Sequence, residues 1–363
     1  MRASFWNHQN LNTIPFLAHL YEEWKQTKPL AGLKILHNIP FTLDTLCKVD
    51  CLLHAGADVT LTQTKFIRPS ISGKAMEYIP ELGCPFYADH DKIPSQEYDF
   101  GLDCSGELAS FFFKKGIVEL TASGTNLYQK RAQQGLQQCP ILSIDDSALK
   151  GFETFLGTGN GLVRALQRFS PRPLENLNIL IFGYGKVGSG VAAALKSYTS
   201  EVTAVDVHQA AVTRAQQDHV RALMLDNHTA LLHAIAAAEC IITATGIPNF
   251  LGDTFPASLF EGKILANIGA EDEYGPTFPD AWVLGNKHPL NFLLDNPTEM
   301  KYLDPIMYIH NITPLIIAER VLTPGYHGLP WDIDQSILER WQAYHQESLP
   351  HCMARYIAQR VTP

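Results

Sequence analysis

The sequence predicts an α/β fold of two doubly wound parallel-sheet domains, the second inserted into the first. Three observations carry this expectation. Short apolar runs alternate with helical stretches through most of the 363 residues, the pattern of parallel strands covered by helices on both faces. A turn with three glycines, Gly183-Tyr184-Gly185-Lys186-Val187-Gly188, joins the apolar run 177–182 to an Ala-rich helical stretch, 189–198. After about residue 305 the pattern turns helical, so the C-terminal stretch can pack back onto the first domain. The expected boundaries are 1–155 with 305–363 for a substrate or catalytic domain, and 156–304 for the insert.

In chain order, 11–29 reads as an amphipathic helix (Leu11, Phe16, Leu17, Leu20, Trp24) that Pro29 terminates. Strands are expected at 33–37, 57–61, 98–102, 116–121 and 140–144. Helices are expected at 42–54, 106–113, 124–134 and 148–169, and Ser170-Pro171-Arg172-Pro173 breaks the last of these. In the insert, strands follow at 177–182, 202–205, 221–225, 240–245 and 263–268, with a short addition at 282–284. Helices at 305–321, 334–345 and 353–361 close the chain. No solenoid-type repeat is present.

The glycine turn has a specific chemistry at a strand-to-helix junction. Gly183 permits the tight turn, Gly185 lets backbone approach a pyrophosphate, and Gly188 allows close helix–strand packing. Lys186 and Val187 open the helix whose free N–H groups face the phosphates. Asp206 ends the next strand, where an acid holds a ribose 2′-hydroxyl; no Arg or Lys adjoins it, which favours NAD over NADP. The insert is therefore expected to be a Rossmann NAD-binding domain.

Composition sets outer bounds. A net charge of −9 argues against nonspecific nucleic-acid binding and against an anionic membrane surface. The first residues hold no apolar signal core, and no run is long enough to span a bilayer. Seven scattered cysteines without CxxC spacing fit reduced thiols and a cytoplasmic location. Cys47 and Cys51 read as helix core, and the 14 histidines form no HExxH or HxH cluster, so no metal site is expected.

Over about residues 32–311 the chain resembles S-adenosylhomocysteine hydrolase. The resemblance rests on the order and spacing of ILHNIPFTLDTL, LDCSGELA, GIVELTASGTNLY, PILSIDDSALKGFETFLGTGNGLVRALQR, GYGKVGSG, TATG and ANIGAEDE. It implies a tightly held NAD that oxidises a substrate hydroxyl, permits elimination and water addition, and is regenerated. Lys150 falls on the family's active-site lysine, and Glu153 stands near an aspartate that holds substrate hydroxyls. His37 and Asp103 match further catalytic positions, and Glu119 matches a substrate-binding glutamate region. For the cofactor, the resemblance implies Thr121, Ser123, Thr154, Thr245, Gly246, Asn267, Ile268, Gly269 and Asn311. By analogy it also implies a homo-oligomer, a dimer or tetramer.

The same comparison exposes departures. Ile39 and Phe41 stand where the family recognises adenine, Cys104 replaces a catalytic acid, and Leu120 replaces a substrate-binding glutamate. Ala122, Thr158, Ala270 and Asp304 replace further family residues, and the C-terminal AQRVTP lacks the family's Lys/Tyr tail. Losing the partners of an adenine edge removes selectivity for it. The expectation is a small-molecule substrate other than S-adenosylhomocysteine. Arg68 is the first choice for an anion-binding residue, ahead of Lys65, Lys114 and Lys115, and Cys104 also belongs to the candidate substrate site. Three functions remain open at this point. One is hydride transfer between NAD and an alcohol carbon with NAD recycled, and the second is an ordinary NAD-dependent dehydrogenase of a small hydroxy or amino acid. The third is an NAD-binding pseudoenzyme acting through a partner.

Overall fold

The computed structural model describes residues 3–65, 73–294, 296–349, 353 and 357. Thirteen strands are found among them, in chain order β1 (Lys34–Asn38), β2 (Asp58–Thr62), β3 (Phe86–Tyr87), β4 (Tyr98–Asp103), β5 (Phe113–Glu119) and β6 (Pro140–Ser143), then β7 (Ile179–Phe182), β8 (Val202–Asp206), β9 (Arg221–Met224), β10 (Cys240–Thr243), β11 (Ile264–Asn267), β12 (Val283–Leu284) and β13 (Gly325–Gly328). They form two all-parallel sheets. The first has the order β13-β6-β5-β4-β1-β2-β3 and the second β12-β11-β10-β7-β8-β9. Residues up to Gly151 with Leu303–Leu349 make one compact unit, and Phe152–Tyr302 make the core of the other.

Strand composition follows from burial on both faces. In β7, Ile179 and Ile181 enter one apolar cluster while Leu180 and Phe182 enter the opposite one. Both faces being dry, the strand reads as an unbroken apolar run. In the first unit Leu36, Tyr98, Phe113, Ile117, Tyr128 and Ile141 form one such layer.

The helices that matter below are α1 (Pro15–Thr27), α2 (Leu43–His54), α3 (Gly73–Leu82), α4 (Ala122–Gln133), α5 (Ala148–Phe152), α6 (Gly159–Phe169) and α7 (Lys186–Leu195). Thr42 and Thr45 make a reciprocal capping box on α2, and the Thr121 hydroxyl caps α4. Between α5 and α6 the backbone widens to a π-helix, Glu153–Thr158. Late in the chain come the helices Met300–Arg320 and Trp331–His345.

Several expectations need correction. Residues 106–113 are not helical. Ser105 and Gly106 both have positive φ, 73° and 72°, and the amides of Gly106 and Leu108 bond to the buried carboxylates of Glu119 and Asp103. The expected first helix begins only at Pro15, and Leu11 is exposed in a separate 3₁₀ turn. β13 was not expected, since its GYHG sequence lacks any apolar run; it pairs with β6, and the Tyr326 hydroxyl donates to Asp146 at 2.6 Å. The helix expected at 353–361 lies outside the described residues apart from Met353 and Ile357.

Candidate functional site: a nucleotide crevice and a buried polar cluster in the first unit

In an open parallel sheet, ligands bind beyond the carboxyl ends of the strands where the strand order reverses. In the second sheet that point lies between β7 and β10. The residues leaving β7 are Gly183 to Gly185, and those leaving β10 are Ala244 and Thr245.

Gly183 has φ +95°, and a β-carbon there would stand 2.3 Å from the Ala244 carbonyl oxygen. Gly188 sits directly under the turn, and its β-carbon would meet the Gly183 carbonyl at 1.9 Å. Gly185, by contrast, faces open space. It is also the N-cap of α7, whose first residues are Lys186 and Val187, so the free amides of that helix are available to a phosphate. A cavity of about 220 Å³ adjoins the turn, lined by Gly183, Gly185, Asp206, His208, Thr245 and Ile247 among others. A neighbouring cavity of about 290 Å³ shares Val207 and Leu225 with it and reaches Asp226 and His228. A bare glycine surface, a helix N-terminus and an acid beside a cavity are the features a dinucleotide requires, and the residues present fit NAD.

Asp206 is fixed in place by two backbone amides, Tyr184 N–H at 2.7 Å and His208 N–H at 2.9 Å. A carboxylate held there repels the 2′-phosphate of NADP.

Glu273 holds the neighbouring loop. It accepts the Thr245 amide and hydroxyl and the Gly246 amide at 2.7–2.8 Å, and burial raises its pKa. Asn267 is fully buried; it accepts from Thr243 and Gly269 and donates to the carbonyls of Gly269, Glu271 and Lys287. Asn267, expected to touch the cofactor, is thus consumed in shaping the turn, while Ile268 is buried core and Gly269 packs against Glu273. Thr245 does line the cavity.

The first sheet reverses between β1 and β4, which brings together His37 and Asn38 from β1 with Asp103 and Cys104 from β4. Asp103 is saturated: it accepts from Asn38 Nδ2, the Cys104 and Leu108 amides and the Tyr128 hydroxyl. Glu119 accepts the amides of Ser105, Gly106, Leu120 and Thr121 and the Thr121 hydroxyl. Burial raises the pKa of both carboxyls, and for Glu119 the charge of Asp103 adds to it. These two acids, expected to serve catalysis and substrate binding, tie the loops together through these bonds. Burial likewise pushes the Cys104 thiol far above its ordinary value, which keeps it from acting as a thiolate nucleophile. Thr121, expected at the cofactor, spends its hydroxyl on Glu119 and on capping α4; Ser123 is exposed beside it.

On the other side of β1 lies a group that sequence reasoning missed in part. Lys48 of α2 is fully buried, and its Nζ lies 2.8 Å from His37 Nε2. His310, also fully buried, stands with its ring 6.2 Å from that of His37. Burial holds all three well below their ordinary pKa values. Asn311 donates to the Lys48 carbonyl at 2.9 Å and belongs to this core, a position that does not support its expected cofactor role.

Lys150 sits in the first turn of α5. Asp334 accepts the Ala148 amide at 2.5 Å and the Leu149 amide at 2.8 Å, and Ser147 Oγ accepts the Lys150 amide at 2.9 Å. Glu153 is buried at the start of the π-helix, where Thr154 donates to its carboxylate at 3.2 Å. Insertions of this kind recur at functional sites. Arg68 lies outside the described residues. Lys114 and Lys115 are surface charges that face Glu97 and Asp99.

Glu273, Asp334, Lys48 and His310 escaped the sequence reading. A carboxylate whose partners are backbone amides leaves no residue-type signature, and Lys48 lies in a helical run where a lysine reads as exposed. Among the described residues no His/Cys/Asp/Glu group is arranged to hold a metal, and no helix is long and apolar enough to cross a membrane.

The comparisons agree with the nucleotide crevice. Residues 154–274 match the family model of the S-adenosyl-L-homocysteine hydrolase NAD-binding domain. An adenosylhomocysteinase from Thermotoga maritima is 25% identical over 277 residues, covering 70% of this chain and 67% of the relative. Two solved structures are more distant. A dipicolinate synthase chain from Bacillus subtilis has 13% identity and a TM-score of 0.48, covering 80% of this chain and 97% of its own. The corresponding dipicolinate synthase chain from Bacillus halodurans has 11% identity and a TM-score of 0.46, covering 81% and 99%. With the glycine turn, its cavity and the fixed acid in place, the chain is a divergent relative of the S-adenosylhomocysteine hydrolases and NAD is its cofactor.

Proposed function

We propose that this chain is an enzyme that transfers hydride between NAD and an alcohol carbon of a small substrate other than S-adenosylhomocysteine. Two observations support the reading: the nucleotide crevice of the second unit and, in the first, a lysine, Lys150, on a helix start held by Asp334 and Ser147. When bound, NAD would supply the hydride acceptor; Lys150 is the residue that would take the hydroxyl proton, and Glu153 the one that would orient the hydroxyl. The adenine-recognition positions support a different substrate, because Ile39 and Phe41 are buried apolar side chains. A homo-oligomer remains part of the proposal by family analogy.

A second reading is net dehydrogenation of a small hydroxy or amino acid with release of NADH. The locked state of Asp103 and Glu119 and the buried thiol of Cys104 favour it. Those groups are not free to move protons at a neighbouring carbon, as elimination requires.

The test supplies purified protein with NAD and a panel of short hydroxy acids, amino acids and S-adenosylhomocysteine. NADH formation, or redox-neutral conversion with NAD retained, separates the two readings. Lys150→Gln is expected to slow the reaction by about 10²–10⁴-fold with little change in NAD affinity. Efficient cleavage of S-adenosylhomocysteine, or full activity in Lys150→Gln, overturns the proposal.

A further inference from the structure

The nucleotide chemistry leaves the Lys48 cluster unused. Its polar atoms are buried yet short of partners. Lys48 has His37 Nε2 as the hydrogen-bond partner of its Nζ, and no carboxylate within ion-pair distance among the described residues. His37 Nδ1, both ring nitrogens of His310 and Asn311 Oδ1 make no well-formed hydrogen bond. The Asn311 amide cannot be reversed to hide this, because its Nδ2 already donates to the Lys48 carbonyl. Buried polar groups in native proteins are nearly always paired, so several orphans in one place call for a missing partner.

We infer that the buried polar cluster at the carboxyl end of β1 takes the carboxylate group of the substrate, with Lys48 as its counter-ion and His37 and His310 as further donors. The inference rests on the proposed function only in calling the ligand a substrate. The charge balance of the surroundings supports it. The groups facing Lys48 and His310 are His37 from β1, Cys51 from α2, Lys150 from α5 and the Val118 backbone from β5. Cys51 donates its thiol hydrogen to the Leu17 carbonyl at 3.6 Å. Each remaining side chain is a base, and none is an acid.

A lone ammonium in such a place is costly, and the cost is relieved either by deprotonation or by an entering anion. A carboxylate bound here therefore brings a proton with it. Asn311 Oδ1 offers an acceptor in the same cluster, which suits a hydroxyl or amine carried by the same small acid.

Calorimetric titration tests this without turnover. Glycolate and lactate are compared with the uncharged glycolamide and lactamide, at about neutral pH and in buffers of different ionisation enthalpy. The acids are expected to bind with uptake of close to one proton, and the amides at least about tenfold more weakly. Lys48→Met should abolish the uptake and weaken the acids about tenfold or more, with NAD binding as the check that the chain is folded. His310→Gln should weaken the acids a few-fold and keep the uptake. Equal binding of acid and amide, binding without proton uptake, or no binding of the acids by a protein that binds NAD would each overturn the inference. A protein that binds these acids but neither forms NADH nor converts any substrate with NAD retained fails the function proposal and leaves this inference standing.

Discussion

Gly188 lies so close beneath Gly183 that a single added methyl on the helix residue would overlap the turn's carbonyl oxygen, at 1.9 Å. The clash is with backbone and cannot be relieved by a rotamer. Gly188→Ala is expected to cost about 1–3 kcal/mol and to lower NAD affinity with it. Gly185→Ala makes the informative contrast, since nothing in the protein stands within 4 Å of the added carbon. It should leave the urea midpoint nearly unchanged while NAD titration shows weaker binding. Equal loss of stability in both variants would contradict this account of the turn.

Asp334 reaches across 186 residues of sequence to cap the amides of Ala148 and Leu149. Asp334→Asn keeps the shape but replaces one acceptor oxygen by a donor group, at a cost of about 1–2 kcal/mol. Because Lys150 sits on the same helical turn, kcat should fall more than KM rises, and Asp334→Glu should restore little. Denaturation and steady-state kinetics together check this; a stability loss with unchanged kcat removes Asp334 as a positioning residue.

Glu273 gathers one hydroxyl and two amides from the turn after β10. Glu273→Ala leaves those amides without their acceptor, which is expected to cost about 1–3 kcal/mol and to weaken NAD about tenfold. Fluorescence titration of NAD gives the affinity. An unchanged affinity would show that the loop holds its form through other bonds.

Asp304 carries the pH prediction. Its carboxylate accepts the Phe16 and Leu17 amides at the start of α1, and burial pushes its pKa from 3.8 up to about 8. Between these values the folded chain holds a proton that the unfolded chain has released. This group's contribution to stability is therefore full below the unfolded value and falls as pH rises through about 8. Asp304→Asn should flatten that decline, so the gap in melting temperature between the two proteins narrows from acidic to alkaline pH. Parallel pH profiles would refute the assignment.

Much of the nucleotide unit was legible because its chemistry is local. The turn from Gly183 to Gly188, the apolar run before it and Asp206 after the next strand each state their role within a few residues. The buried polar cluster of the first unit was less legible for a physical reason. Asp103 and Glu119 look like reactive acids by type, and only the folded positions of the surrounding amides and hydroxyls reveal that their lone pairs are spent. Residues 106–113 carry the apolar content of a helix, but Ser105 and Gly106 turn the backbone away from it. Lys48 was hidden by its surroundings, since Cys47-Lys48-Val49 gives no sign that this face of α2 turns inward.

The strand β13 has a consequence for how the chain is made. It covers the outer edge of β6, from which it is separated by the whole core of the second unit. During synthesis on a ribosome every strand of the nucleotide-binding sheet emerges before residue 325 does. Until then β6 offers a row of unpaired amides and carbonyls to any passing strand. A nascent chain paused in that interval is the form most in need of a chaperone, with a finished dinucleotide crevice and an unfinished sheet in the same molecule.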